Sequence, residues 1–210
     1  MSSPSDAPVR AAGTRTRSGN AMARTRTAIL LAAVRSVEEV GQRGTTMSRV
    51  ASTSRVAKAT LYNHFRTKDD LLDALVLWKI GELLATVRGV ELEAGLHALA
   101  AELAALPAVR RIAEGEPAVL PVLVRPGDGR LWTAARTAVT TLLEQAGVVA
   151  GPPAVELVLR WLAAHLLGGA ESAELTLAAR LLAGSLLAAP PPAPAQPPDH
   201  AAAMSGVGWA

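Results

Sequence analysis

The 210-residue chain has no cysteine, one Tyr, one Phe and four Trp. Without cysteine there can be no disulfide framework, no thiolate metal site and no cysteine nucleophile, which fits a reducing compartment. The four histidines, at positions 64, 97, 165 and 200, are scattered. No His-x-x-x-His pair, Gly-x-Ser-x-Gly elbow or glycine-rich phosphate loop occurs, so neither metal nor nucleophile chemistry has a recognisable site. The expectation is a protein that is not an enzyme, with no catalytic residues, no metal and no cofactor. Met1 to Arg17 lacks the apolar stretch of a secretory signal, and no long window is strongly apolar and free of charge and proline. A soluble, cytoplasmic protein is expected. Half of the residues are apolar, mostly Ala and Leu rather than the β-branched and aromatic types that sheets favour, so the fold should be all-α.

Charge is unevenly distributed. Residues 1–70 hold twelve bases and five acids, net +7, whereas residues 71–210 hold nine bases and thirteen acids, net −4. A basic N-terminal third on a mildly acidic body suits a polyanionic partner at one end only. Residues 1–24 are rich in Ser, Thr, Gly, Ala and Arg without apolar period and read as a disordered basic arm. Residues 190–210, with six prolines in 190–198, read as a disordered Pro/Ala-rich tail.

Between them, apolar residues recur at helical spacing. Leu30, Ala33, Val34 and Val37 mark one face of a helix that starts near Thr27 and stops at Gly41. Thr46 can cap a second short helix through Val50 and Ala51, and a third begins near Ala57. Thr67 and Asp70 form a capping-box pattern opening a long helix that is apolar around much of its circumference, so it must lie between two other elements. A helix from Glu91 to Leu106 ends at Pro107, and residues 114–129, with three prolines, predict a short helix inside an irregular segment. Asp128 is placed to cap a helix over 129–146, Pro152-Pro153 starts another, and the last covers about 172–188. These last two are apolar on more than one face, more than one subunit can cover, and pairing with a second copy through residues 152–188 is the simplest remedy.

Residues 46–65 have the build of a helix-turn-helix. Small Ala51 sits where crossed helices approach, Val50, Val56 and Leu61 are buried contacts, and Ala57, Lys58, Thr60 and Asn63 face outward, small and polar enough to enter a major groove. The only Tyr and the only Phe both fall in Leu61–Phe65, just before the capped long helix. The order Gly41, Thr45-Thr46, Val50-Ala51, Thr60-Leu61-Tyr62, His64-Phe65, Lys68 and Leu71 resembles the N-terminal DNA-binding domain of the tetracycline-repressor (TetR) family. The resemblance spans Thr27 to about Leu75, about a quarter of the chain.

This resemblance implies about nine helices: a three-helix DNA-binding domain over 25–70 and a helical effector-binding and dimerisation domain over 71–189. It implies a homodimeric repressor of a palindromic operator in double-stranded DNA, released by a small-molecule effector that shifts the long helix and the spacing of the two recognition helices. Thr45, Thr46, Tyr62, His64 and Lys68 would lie at the DNA, the last four on phosphates, and Lys58, Thr60 and Asn63 at bases. Lys68 also stands at a helix N-terminus, where free amides favour phosphate. Phe65 reads as core; Tyr62 divides between core and phosphate ligand, and His64 between phosphate ligand and solvated residue. Two positions depart from the family pattern: Arg55 stands in the turn where glycine is usual, and Ala57 where serine caps the recognition helix. Either the turn has a different geometry, or each departure costs about 1 kcal/mol and the domain is less stable than its relatives. Arg55 can recoup some of this by reaching phosphate or a base edge.

In the second domain Trp78, Trp132 and Trp161 lie on greasy faces, each either core or ligand contact, and His97 and His165 are the titratable groups on apolar stretches. A cavity lined by them would be largely apolar and suit a hydrophobic or aromatic effector. The competing reading is a helical DNA-associated or partner-binding protein that meets DNA through charge alone and has no effector.

Overall fold

A computed structural model describes residues 13–119, 121, 125, 127–149, 151–167 and 172–188. Among these there are nine α-helices and no strand. Residues 1–12 of the expected arm, and the tail, lie outside the described residues.

Helix α1 (Gly13–Gly44) is interrupted at Gly41, whose φ of 75° and ψ of 178° are not helical. The stop expected at Gly41 is therefore there. The start is a correction: residues 13–24, read as disordered arm, are helical. Once the apolar face from Ile29 onward is anchored, Ala, Arg and Met propagate a helix backwards at little cost, because nucleation is already complete. Helices α2 (Met47–Ser54) and α3 (Lys58–His64) follow. The Thr46 hydroxyl accepts the Arg49 N–H at 3.2 Å and caps α2.

Helix α4 (Lys68–Thr86) opens on the full capping box. The Asp70 N–H donates to Thr67 Oγ1 at 3.0 Å, and the Thr67 N–H donates to Asp70 Oδ2 at 3.1 Å. Helix α5 (Leu92–Ala105) ends where expected, but Pro107 starts a further helix, α6 (Pro107–Gly115), bent 45° from it. Proline's fixed φ and missing N–H suit the first turn, so the residue that ends one helix begins the next. Pro117–Val119 makes a short 3-10 turn, and α7 (Arg130–Gln145), α8 (Pro152–His165) and α9 (Ser172–Ala188) complete the body. Gly129, not Asp128, holds the N-cap of α7, and no side chain bonds there.

Two apolar cores form. The first gathers Ile29, Leu30 and Ala33 of α1, Val50 and Ala51 of α2, Leu61 of α3, Phe65 and Leu71, with Leu75 and Trp78 packed at its edge. The second joins α4, α5, α7, α8 and α9 through Leu83, Leu96, Leu142, Val158 and Ala179. Helix α5 lies on α8 and α9, α7 lies on α4 and α8, and α1 packs on α2, α4 and α6. Thus α1 and α4 belong to both halves of the molecule. No single described helix is long and apolar enough to cross a membrane.

Candidate nucleic-acid interface and apolar cavity

The turn between α2 and α3 is closed by backbone alone. The Arg55 N–H donates to Ser52 O and the Val56 N–H to Ala51 O, both at 3.2 Å, the paired bonds of a Schellman ending. That ending needs a left-handed residue, and Arg55 takes it with φ 56° and ψ 30°, the only non-glycine residue with positive φ among the described residues. The turn thus keeps the geometry a glycine would give it. Ala57 stands at the N-cap of α3 without any side-chain bond.

Leu61 points into the first core while Ala57, Lys58, Tyr62 and Asn63 are exposed and Thr60 and His64 half-buried. Tyr62 is 48% exposed, which removes it from the core and leaves its hydroxyl free to meet a ligand. Phe65 is buried, with the Arg26 guanidinium 5.2 Å above its ring and the His64 ring 6.3 Å away. Arg26, a basic residue at the edge of the N-terminal arm, is thereby stacked on the domain.

The Thr45-Thr46 pair divides. Thr45 is a correction: it is 1% exposed, donates to Gly41 O at 2.8 Å and accepts from Ser36 Oγ at 3.0 Å, so its hydroxyl is consumed inside the fold. Thr46 is exposed and caps α2. Lys68, at the start of α4, donates from Nζ to Arg43 O at 3.3 Å, an exposed contact that ties the head of α4 to the end of α1. Arg49 pairs with Glu39.

Behind this surface lies a cavity of about 600 Å³ bounded by α1, α4, α5, α6, α7 and α8. That volume is of the size that holds small organic ligands. Leu75, Trp78, Leu103, Ile112, Trp132 and Leu162 give it an apolar wall, with Glu38, Gln42, Lys79, Glu82 and Glu102 as the polar groups on it. Of the five residues singled out in the sequence, Trp78 and Trp132 line it. Trp161 and His165 do not: His165 is buried, bonds through Nδ1 to Trp161 O at 2.7 Å and meets the Trp161 ring edge-on at 4.7 Å. His97 faces a separate, smaller hollow beside Glu91, Glu93 and Thr176. A histidine satisfied by the backbone one turn earlier is a packing residue, which is why an apolar surrounding alone did not place it at the cavity.

Helix α6 is the element that the sequence reading missed. Its signal was present: proline at a first-turn position followed by Val109 and Ile112, three apart. Sequence reasoning also missed Glu116, a buried carboxylate just beyond α6 whose Oε1 accepts the N–H of Arg43, 73 residues earlier and next to the Gly41 kink, at 2.9 Å.

A helix-turn-helix with a polar, exposed second helix, standing on a helical body with an apolar cavity, defines the architecture of a DNA-binding regulator. Residues 29–75, which span the helix-turn-helix, match the family model described as bacterial regulatory proteins, tetR family. Among solved structures the chain is similar to the transcriptional repressor QsdR from R. erythropolis, with 19% identity over 78% of this chain and 95% of that one and a TM-score of 0.53. It is also similar to the fatty acid degradation regulator FadR from Bacillus halodurans, with 17% identity over 78% and 95% and a TM-score of 0.49. No curated protein matches. The chain has the fold of TetR-family transcriptional regulators.

Proposed function

We propose that the protein is a homodimeric, sequence-specific repressor that leaves a palindromic operator when a small, largely apolar effector fills the cavity. Residues 25–70 are the DNA-reading domain and 71–189 the effector and dimer domain, acting in the cytoplasm without turnover. Lys58, Thr60 and Asn63 meet base edges, while Thr46, Tyr62, His64, Lys68 and the Arg55 side chain meet phosphates, which set the register.

The observation that carries the reading is the sharing of α4. Its first turn is capped beside the recognition helix, and its middle, Leu72 to Leu84, walls the cavity. Anything that changes the shape of the cavity acts on the element that positions α3. Support for pairing comes from Leu157 on α8 and Leu177, Leu181 and Leu187 on α9, large apolar side chains that are each more than half exposed. A second copy covers it by two-fold symmetry and sets two recognition helices about 34 Å apart, one turn of DNA.

The test is selection from a random duplex library with the full chain at near-physiological salt. Enrichment of a palindrome with half-sites about one helical turn apart supports the reading. Binding that ignores sequence and disappears as salt rises would replace it with charge-driven association. The recovered operator then serves to screen apolar compounds for release.

A further inference from the structure

We propose that Glu116 is the positioning residue through which the cavity reaches the DNA-binding domain: its carboxylate latches the end of α6 to the Gly41 kink of α1, and movement of α6 opens the latch. The inference rests on the cavity being a ligand site, as proposed above.

Glu116 is fixed to the cavity wall on one side. Its N–H donates to Ile112 O at 2.7 Å, and Pro107, Ala108, Val109 and Ile112 of the same helix line the cavity. On the other side it holds the domain boundary. Oε1 accepts the Arg43 N–H, and the kink is shaped for that carboxylate: at the left-handed Gly41 any Cβ would overlap Oε1. Glycine is needed there twice over, for its φ and for the approach.

The segment held by this bond is a junction. Arg43 O accepts from Lys68 Nζ at the head of α4, Gly41 O accepts from both the amide and the hydroxyl of Thr45, and Thr46 caps α2. Residues 41–46 thus tie α6, α4 and α2 together through polar bonds, and Glu116 supplies the bond that comes from the cavity side.

The latch is built to open. Glu116 Oε2 is buried with no hydrogen bond, and the nearest cation, Arg43 Nε at 3.8 Å, belongs to a side chain that is 74% exposed. A buried carboxylate satisfied at one oxygen is held less firmly than its burial suggests, because part of its desolvation is uncompensated. A displacement of α6 by about 1 Å would carry the 2.9 Å bond beyond hydrogen-bonding distance. The contact therefore has two states, made and broken, and the cavity wall chooses between them.

The experiment is amide hydrogen exchange on the full chain with and without Nile red, a neutral apolar dye, in wild type, Glu116→Ala and Glu116→Gln. In wild type the dye should slow exchange in α6 and speed the Arg43 amide roughly tenfold, the scale of losing one hydrogen bond to a charged group. In Glu116→Ala the Arg43 amide should already exchange fast; the dye should still protect α6, since Glu116 does not line the cavity, and change nothing at residues 42–46. Glu116→Gln keeps a carbonyl oxygen for the Arg43 N–H and should keep most of the response. Glu116→Met, which fills the same space without an acceptor, replaces the alanine variant if that one does not fold. An equal response at residues 42–46 in wild type and Glu116→Ala, or protection of α6 in wild type with no response there, overturns the latch. Absence of any protection in α6 overturns the ligand-site reading and the latch with it.

Discussion

Arg55→Gly should stabilise the protein. Arg55 occupies the left-handed region at φ 56° and ψ 30°, where a Cβ crowds the following carbonyl. That conformation costs a residue with a side chain about 1–2 kcal/mol, which glycine does not incur. Glycine gives back about 0.5–1 kcal/mol through its greater freedom in the unfolded chain. Both bonds that close the turn come from backbone amides, of Arg55 and Val56, and survive the change. The net gain is then about 0.5–1 kcal/mol, a rise of about 1–4 °C in melting temperature for a chain of this length. Arg55→Ala separates strain from charge: it keeps the left-handed Cβ and should stay within about 0.5 kcal/mol of wild type. Thermal melting followed by far-UV circular dichroism checks both. A lower melting temperature for Arg55→Gly, or an equal gain for Arg55→Ala, would refute the assignment of strain to the Cβ. Salt titration on the operator adds an independent reading, since loss of a phosphate contact by Arg55 lowers the salt slope by about 1 whatever happens to stability.

Phe65→Ala removes a buried ring from the junction of α3, α1 and α4 and should cost about 3–5 kcal/mol, read by denaturant unfolding; a loss under 1 kcal/mol would mean that the site collapses around the gap. Asn63→Ala should relax base preference at one position of the operator by about 1–3 kcal/mol, while Lys68→Ala should weaken all sequences alike and reduce the salt slope by about 1. Equal, sequence-independent losses from both variants would remove the division of roles between them. Leu177→Glu with Leu181→Glu places charge on the exposed stripe of α9 and should yield a folded monomer by light scattering with operator affinity sharply reduced; a variant that remains dimeric moves the interface elsewhere.

What was legible in the sequence is what local physics decides. The capping box at Thr67 and Asp70, the cap at Thr46, the stop at Gly41 and the proline start at Pro152 each depend on residues within one turn of each other, and each stands in the structure. Arg55 is singled out by the family resemblance, which has glycine at that place, and the structure shows that the turn keeps the left-handed conformation there. What escaped depends on contacts distant in sequence. Thr45 and Thr46 are identical in type and adjacent, and only the Gly41 kink and Ser36 decide which hydroxyl turns inward. Glu116 has no local pattern at all, because its partner is the amide of Arg43. His165 and Trp161 look like ligand contacts on an apolar helix until the backbone carbonyl that satisfies the histidine is known. Helix α6 escaped because Pro107 reads only as the end of α5, although Pro152 reads as a helix start.

The breadth of the apolar surface on α4 now has a physical account. Leu71, Leu75 and Trp78 seal the small core against Phe65 and α1, while Leu72, Val76 and Leu83, turned to a neighbouring face, wall the cavity; Leu75 and Trp78 serve both. Helix α1 divides in the same way, with Ile29, Leu30 and Ala33 in the small core and Leu31, Val34 and Val37 against the cavity. A helix that buries one stripe needs only about 100° of apolar arc, and one that buries two adjacent stripes needs more, at the expense of exposed polar positions. Close packing then leaves neither stripe free to move alone, because a rotation that accommodates a ligand on one side disturbs side chains on the other. The cavity and the recognition helix are therefore joined at three places, through α1, through α4 and through Glu116, and only the last is a polar contact that can break without unpacking a core.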